Sequence, residues 1–247
     1  ADVRDTELAR QAMAAVQHVI AIDTFASSSS QRADVLLPAA AFGEKDGTTT
    51  NLEGRVTQLN RKVNVHGTAR PDWMIALELA DYLGHDLGVG SVQEVHQQLV
   101  SKVAAFGDAT RAALAINPDG VLLRRSSGNV SAGSAPTVPD RAGFGYRLVV
   151  SRKLYDNGSN VAHSASLAPL APGSSLHMHP LDLDRLGAAV GAQVKVSSDR
   201  TSIVMPIVAD ESVTRGTVWA AWAQNGSNIG ELIDSSRSVN DVKVETL

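Results

Sequence analysis

Arg32-Ala-Asp-Val-Leu-Leu-Pro-Ala-Ala-Ala-Phe-Gly-Glu-Lys-Asp-Gly-Thr-Thr-Thr-Asn-Leu-Glu-Gly-Arg-Val-Thr-Gln58 holds the changes of pattern from which the first half of the chain is read. Its opening, Ala33-Asp-Val-Leu-Leu-Pro38, is a short apolar run expected as a buried strand. Pro38 stops it, because proline brings no N–H to a ladder. Between Phe42 and Gly54, two glycines, three threonines and Asn51 predict a turn-rich stretch with little to bury. Val56-Thr-Gln-Leu-Asn60 then alternates as a half-exposed strand does, and Lys62-Val-Asn-Val65 repeats the alternation.

Upstream, Thr6 is a plausible N-cap for a helix whose Leu8, Ala9, Ala12, Met13 and Val16 recur at helical spacing. The period then changes, and Val19 to Ile22 are expected as a second buried strand. A helix feeding a buried strand is the repeating unit of an α/β layer. Ser27 to Ser30 form a polar loop between the two strands. Downstream, Pro71 and Asp72 suit a first helical turn, Ile75, Leu79, Tyr82 and Leu83 share a face, and Gly84 ends the helix. Ser91 caps a further helix through Val92, Val95, Leu99 and Val103, and a short one covers Ala109 to Ile116.

Ser126 to Gly143 is a compositional break of Ser, Gly, Pro, Ala and Thr, read as a linker. After it, Tyr146–Val150, Gln193–Ser197, Ile203–Val208 and Thr217–Trp222 read as short strands, with one helix at about Pro180 to Leu186 before Gly187. The expected organisation is therefore an α/β part over residues 1–125, a linker over 126–143, and a mainly β barrel over 144–247.

Among 247 residues, 22 Lys and Arg face 26 Asp and Glu, for a net charge of -4. That balance argues against a nucleic-acid protein, which needs a basic face to neutralise phosphates. The absence of cysteine excludes, within this chain, disulfides, thiolate-held iron–sulfur clusters and a cysteine nucleophile. No apolar run approaches the roughly 18 residues of a membrane helix. No signal-peptide pattern opens the chain, which starts without Met and is read as a piece of a longer polypeptide in a cytoplasmic setting.

Chemical motifs are sparse. Gly88-Val-Gly90 and Gly143-Phe-Gly145 lack the third glycine and the strand-to-helix setting of a dinucleotide fingerprint. Asn129-Val-Ser-Ala-Gly133 has Asn where a nucleophile elbow has Gly. The three Asn-x-Ser triplets at Asn129, Asn157 and Asn225 are expected to be idle. His177 and His179 would share a face on a strand and form a metal edge, or else lead into the helix at Pro180 with His179 near its cap. His66, His85 and His96 are scattered. Glu44, Asp46 and Glu53 form the densest acid group and are assigned to turn chemistry, with Arg55 paired to one of them. Trp219 and Trp222, three apart, are expected on opposite faces, one in the core and one outside.

The quoted stretch resembles a segment of the molybdopterin oxidoreductase superfamily, in which an Ala-Asp-x-x-Leu-Pro strand precedes an acidic Gly/Thr turn and an Asn-x-Glu-x-Arg strand. His179-Pro180, Leu186-Gly187, Gly191 and Val194–Ser198 resemble the superfamily's C-terminal pterin-dinucleotide-binding domain, a six-stranded double-psi barrel. The resemblance covers residues 1–88 and 144–247. Within it, Asn51-Leu-Glu-Gly-Arg-Val56, with Gly54 where formate dehydrogenases carry a second Arg, is similar to the G subunit of NADH-quinone oxidoreductase, as is Lys153–Pro169.

The resemblance implies a segment of the peripheral arm of respiratory complex I, whose iron–sulfur clusters lie outside these residues. Its expected partners are other peripheral-arm subunits, on the cytoplasmic side of the membrane and without membrane insertion. In molybdenum-dependent members the first barrel strand and loop hold the pterin's phosphates with Arg, His and Thr. Here that loop reads Asp156-Asn-Gly-Ser-Asn-Val161, neutral to acidic. The implication is a barrel that kept its fold and lost its ligand, with no catalytic, cofactor-binding or metal residue in this segment. The alternative is a formate-dehydrogenase-type enzyme, with Ser27 to Ser30, Asp34 and the Ser151–Ser159 loop against the pterin.

Overall fold

The chain's first helix, α1 (Thr6–Ala15), is capped one residue earlier than expected: the Asp5 carboxylate accepts the N–H of Leu8 at 2.9 Å. The structure is a computed structural model that describes residues 3–124, 133–135, 137–141 and 145–247. Most of the Ser126–Gly143 linker, with Asn129 and Gly143, lies outside the described residues. The chain divides into two compact units, Ala1–Gln17 with Gly133–Leu247, and His18–Ala132. The opening helix thus belongs with the C-terminal part, not with the α/β part to which its sequence position assigned it.

In the His18–Ala132 unit, β1 (Ile20–Asp23) and β2 (Val35–Pro38) pair in parallel, Ile20 opposite Val35. Both were expected to be buried, yet Ile20 is 57% exposed, and Ile22, Val35 and Leu36 are exposed as well. The reason is width. A parallel sheet is covered on both faces only when helices lie over it, and this one is two strands wide. The Gly/Thr stretch expected as turn contains β3 (Gly47–Thr50), which pairs antiparallel with β4 (Arg55–Leu59). Threonine is a strand former, and Thr49 and Thr57 share a hydroxyl–hydroxyl bond of 2.9 Å across the pair. Lys62–Val65 forms no strand.

Helix α2 (Asp72–Tyr82) follows Pro71 and buries Ile75, whereas Tyr82 and Leu83 are exposed. In α3 (Val92–Lys102), Ser91 caps as expected, its hydroxyl accepting the Glu94 N–H. Thr110 caps α4 (Arg111–Ile116). β5 (Val121–Leu122), unread in the sequence, completes the sheet β3-β4-β5. Val56, Ala109 and Leu114 form a small core, with Phe106, Val121 and Leu123 against it.

The second unit is a closed six-stranded barrel. Its strands are β6 (Tyr146–Ser151), β7 (Leu176–Met178), β8 (Gln193–Ser197), β9 (Ser202–Ala209), β10 (Thr217–Ala221) and β11 (Asn240–Thr246). Around the barrel the order is β10-β6-β11-β8-β9-β7, with β6–β10 and β7–β9 parallel and the other pairs antiparallel. Closure leaves no sheet edge to protect. Alternate residues point inward: Val194 and Val196, Met205 and Ile207, Val218 and Ala220 are all buried. Between β6 and β7 sits the single-turn α5 (Ser159–Ala162). After β7, α6 (Pro180–Leu186) runs from Pro180 to the left-handed Gly187, where the sequence places it.

Asp5 explains why α1 packs with the barrel. Its second carboxylate oxygen accepts both the N–H and the hydroxyl of Ser235 at 3.0 Å, and Arg200 donates to the first at 2.7 Å.

Candidate functional site

The strand register brings three strand ends to one end of the barrel. Ser151 ends β6 opposite Ala221 at the end of β10, and Ala220 lies opposite Leu176 at the start of β7. The loops 152–175 and 222–228 therefore leave from the same end, where the resemblance places a pterin phosphate site. The two are joined closely. Trp222 N–H donates to the Ser151 carbonyl at 2.8 Å, and Asn157 N–H to the Ala223 carbonyl at 2.6 Å. The Gln224 amide donates to the Tyr155 and Trp222 carbonyls and accepts the Gly173 N–H. Ser174 accepts Ser227 N–H through its hydroxyl. Among the described residues, Ala223 is the one non-glycine with positive φ, at 50°. A left-handed alanine costs roughly 1 kcal/mol, so surrounding bonds must hold it there.

One charge pair is built into the first loop at this end. Asp156 is only 8% exposed. One of its oxygens accepts from Arg152 Nη1 at 3.0 Å and the other from Gly158 N–H at 2.9 Å. The loop thus presents a buried carboxylate at its turn, and its arginine is engaged by that carboxylate.

On the barrel's outer face lies a cluster the sequence reading did not assemble. Leu176 and Met178 point inward, which turns His177 out, beside outward Trp219 of β10. The two rings meet edge to face at 4.7 Å between centroids, and Lys153 Nζ lies 4.6 Å from the indole centroid. His177 Nδ1 is 2.9 Å from Asp210 Oδ2, and Nε2 is 3.1 Å from the Ser175 hydroxyl. An ionised carboxylate only accepts, so Nδ1 carries the hydrogen and, in the neutral ring, Nε2 accepts from Ser175. The Ser212 hydroxyl, then His177, hold the Asp210 carboxyl below its usual range. The order of groups is that of a nucleophilic triad, and its structural effect is to fasten β7 to the turn after β9. Alternation on a three-residue strand was the available signal for His177. Asp210, 33 residues away, had none.

The remaining sequence candidates separate. His179 caps α6, its ring accepting Leu181 N–H, and shares no site with His177. Among the described residues no group of three or more His, Asp or Glu is placed to hold a metal ion. Glu44 accepts Ala41 N–H and Glu53 pairs with Arg55 at 2.6 Å, local bonds of the kind expected, whereas Asp46 accepts the N–H of Arg61, fifteen residues on and past the end of β4. Ser27 and Ser30 hydrogen-bond to one another, and Asp34 accepts Val19 N–H at 2.7 Å. Trp222 is buried and Trp219 half-buried, the two environments expected of them. Among the described residues no helix is long and apolar enough to cross a membrane.

Residues 1–82 match the family described as molybdopterin oxidoreductase, and residues 146–244 the molybdopterin dinucleotide binding domain. The two matches, one in each part of the chain, show a molybdopterin oxidoreductase-type fold. Among the chain's relatives, the NADPH-Fe(3+) oxidoreductase subunit alpha of Geobacter sulfurreducens is 28% identical over 97% of this chain and 28% of its own length. The F420-dependent formate dehydrogenase 1 subunit alpha of Methanococcus maripaludis is 24% identical over 91% of this chain and 37% of its own. A NADH-quinone oxidoreductase G subunit of Rhizobium meliloti is 28% identical over 87% of this chain and 25% of its own. Acetylene hydratase from Pelobacter acetylenicus shares the fold, with a TM-score of 0.70 at 13% identity over 98% of this chain and 42% of that one. The chain therefore spans under half the length of these relatives.

The family's pterin cofactor is tested against this barrel by charge. A pyrophosphate needs cations or convergent N–H donors. The first barrel loop instead turns on the buried Asp156, which already takes Arg152 and the Gly158 N–H. A phosphate placed beside that carboxylate meets like charge at low dielectric. At Asp156, then, the loop offers a phosphate no free donor, since Arg152 and the Gly158 N–H are already engaged there.

Proposed function

We propose that this chain is the C-terminal, structural part of a protein of the G-subunit type in NADH:quinone oxidoreductase. In this reading the parent protein carries electrons from NADH towards quinone through iron–sulfur clusters outside these residues. The two units present surfaces to other peripheral-arm subunits on the cytoplasmic side of the membrane. The observation that carries the reading is the Asp156–Arg152 closure of the first barrel loop, where a pterin-binding member needs a phosphate site. Similarity to a G subunit over 87% of the chain supports it, as does a composition without cysteine.

A second reading, a molybdopterin-dependent dehydrogenase, draws support from the match to the dinucleotide-binding domain and from the formate dehydrogenase relative. Iron and molybdenum measured together in the full-length protein, purified from its native cells, separate the two. Iron without molybdenum is expected. Stoichiometric molybdenum would overturn the structural reading and make the Ser151–Ser159 loop a cofactor contact.

A further inference from the structure

A cleft of about 320 Å³ opens in the His18–Ala132 unit among β3, β4 and the helices α2, α3 and α4. It borders the small core around Val56 through Leu114. Its floor is apolar, with Leu59, Trp73, Val95, Leu99 and Leu114 among the lining side chains. Such a volume is at the small end of ligand pockets, which combine an apolar lining with a few placed polar groups. The polar groups here are arranged unevenly. Lys45 and Asp72 pair with each other, and Asp46 accepts the Arg61 N–H. His96 Nε2 donates to the Ala109 carbonyl at 2.8 Å, which leaves Nδ1 as the acceptor of the neutral ring. Arg111, at the first position of α4, is the one charged residue of this rim without a partner among the described residues.

We propose that this cleft binds a compact amphipathic monoanion, an aromatic or branched aliphatic body carrying one carboxylate. The body takes the place of water against Trp73 and Leu99, and the carboxylate meets the Arg111 guanidinium, whose paired N–H donors match a carboxylate's two oxygens. An apolar body without charge would leave Arg111 unmatched. A dianion would meet Asp46 and Asp72 as well. The site is independent of which oxidoreductase the parent protein serves.

The test uses the full-length protein in its native assembly, titrated calorimetrically with 2-naphthoate and with its neutral counterpart 2-naphthamide. Saturable binding of 2-naphthoate is expected, with quenching of tryptophan emission that a Trp73→Phe variant loses. Arg111→Gln should weaken 2-naphthoate about tenfold while leaving 2-naphthamide unchanged, and Arg111→Lys should recover part of the loss. Arg111 is exposed at a helix start, so neither change threatens folding. Three results would overturn the proposal: no binding of either compound, equal effects of Arg111→Gln on both, or binding only after dissociation of the assembly. The last would mean that another polypeptide fills the cleft.

Discussion

Arg200 and Asp5, 195 positions apart in the chain, meet at 2.7 Å. Arg200 also reaches the Ile233 carbonyl and the Asp234 carboxylate, so one guanidinium gathers the entry of α1, the β8–β9 turn and the segment before β11. Asp5 is 2% exposed. Burial alone would raise its pKa, but bonds from Ser235 and Leu8 N–H groups, the Ser235 hydroxyl and Arg200 outweigh burial and lower it to about 2.

A depressed carboxyl stabilises the fold above its unfolded pKa, and that contribution disappears as the pH falls through the folded value. The Asp5 contribution is therefore complete above about pH 5 and is lost on going from about pH 4 towards pH 2. Asp5→Asn should destabilise the barrel unit at pH 7 by about 2 kcal/mol, since it leaves the half-buried Arg200 with a weakened partner set. Urea unfolding across pH 7 to 2.5 checks this: the gap between wild type and variant should close as the pH falls. A gap constant with pH would remove the charge from the explanation.

Gly120 sits at φ 84° against β4, where an added Cβ would overlap the Val56 carbonyl oxygen and lie 2.7 Å from Thr57 Cγ2. Gly120→Ala should cost about 3 kcal/mol, combining left-handed strain with a backbone clash. Gly67, at φ 57° with open space around it, isolates the strain. Gly67→Ala should cost about 1 kcal/mol. Thermal melts of the two variants compare them directly, and equal losses would rule out the clash.

Arg55 pairs with Glu53 beside the Gly/Thr turn, as the sequence reading expects of it. The turn itself is held by Asn51, whose side-chain oxygen accepts the N–H of both Glu53 and Arg55. Arg55→Ala leaves both bonds intact and removes a surface pair with Glu53, so its cost should be below about 1 kcal/mol. Asn51→Ala should cost about 1 to 2 kcal/mol. Amide hydrogen exchange at Glu53 and Arg55 should accelerate in the Asn51 variant and not in the Arg55 variant.

Neighbouring residues on β7 should respond differently. Met178 is fully buried among Val194, Met205 and other barrel core residues, so Met178→Ala should cost about 2 to 4 kcal/mol. His177→Ala removes an outward tether to Asp210 and the ring edge against Trp219, for about 1 kcal/mol. Near-ultraviolet circular dichroism should report the Trp219 change in the His177 variant even where stability changes little.

Local causes were the most legible in the residue order. Ser91 caps α3, Pro180 and Gly187 bracket α6, and the alternation of Gln193–Ser197 and Ile203–Val208 marks barrel strands, because caps, turns and a two-residue period are carried by adjacent side chains. Legibility failed at β3, where threonine-rich strand and turn look alike, and at β11, which offered no apolar run long enough to notice. The His177 cluster and the Arg111 cleft were invisible for another reason: each gathers residues from elements that share no sequence window.

By itself, then, the sequence determined the α/β-then-barrel order, several helix ends, the local use of the Glu44 and Glu53 carboxylates, and the absence of thiolate chemistry within this chain. Only the tertiary structure decided that β6 lies parallel to β10 and β7 to β9, that α1 belongs with the barrel, and that Asp156 faces Arg152 inside the first loop. Alternation tells a strand which face to bury and leaves its neighbour unspecified. Closing the barrel chooses the neighbours, and only closure brings Asp5 within reach of Arg200.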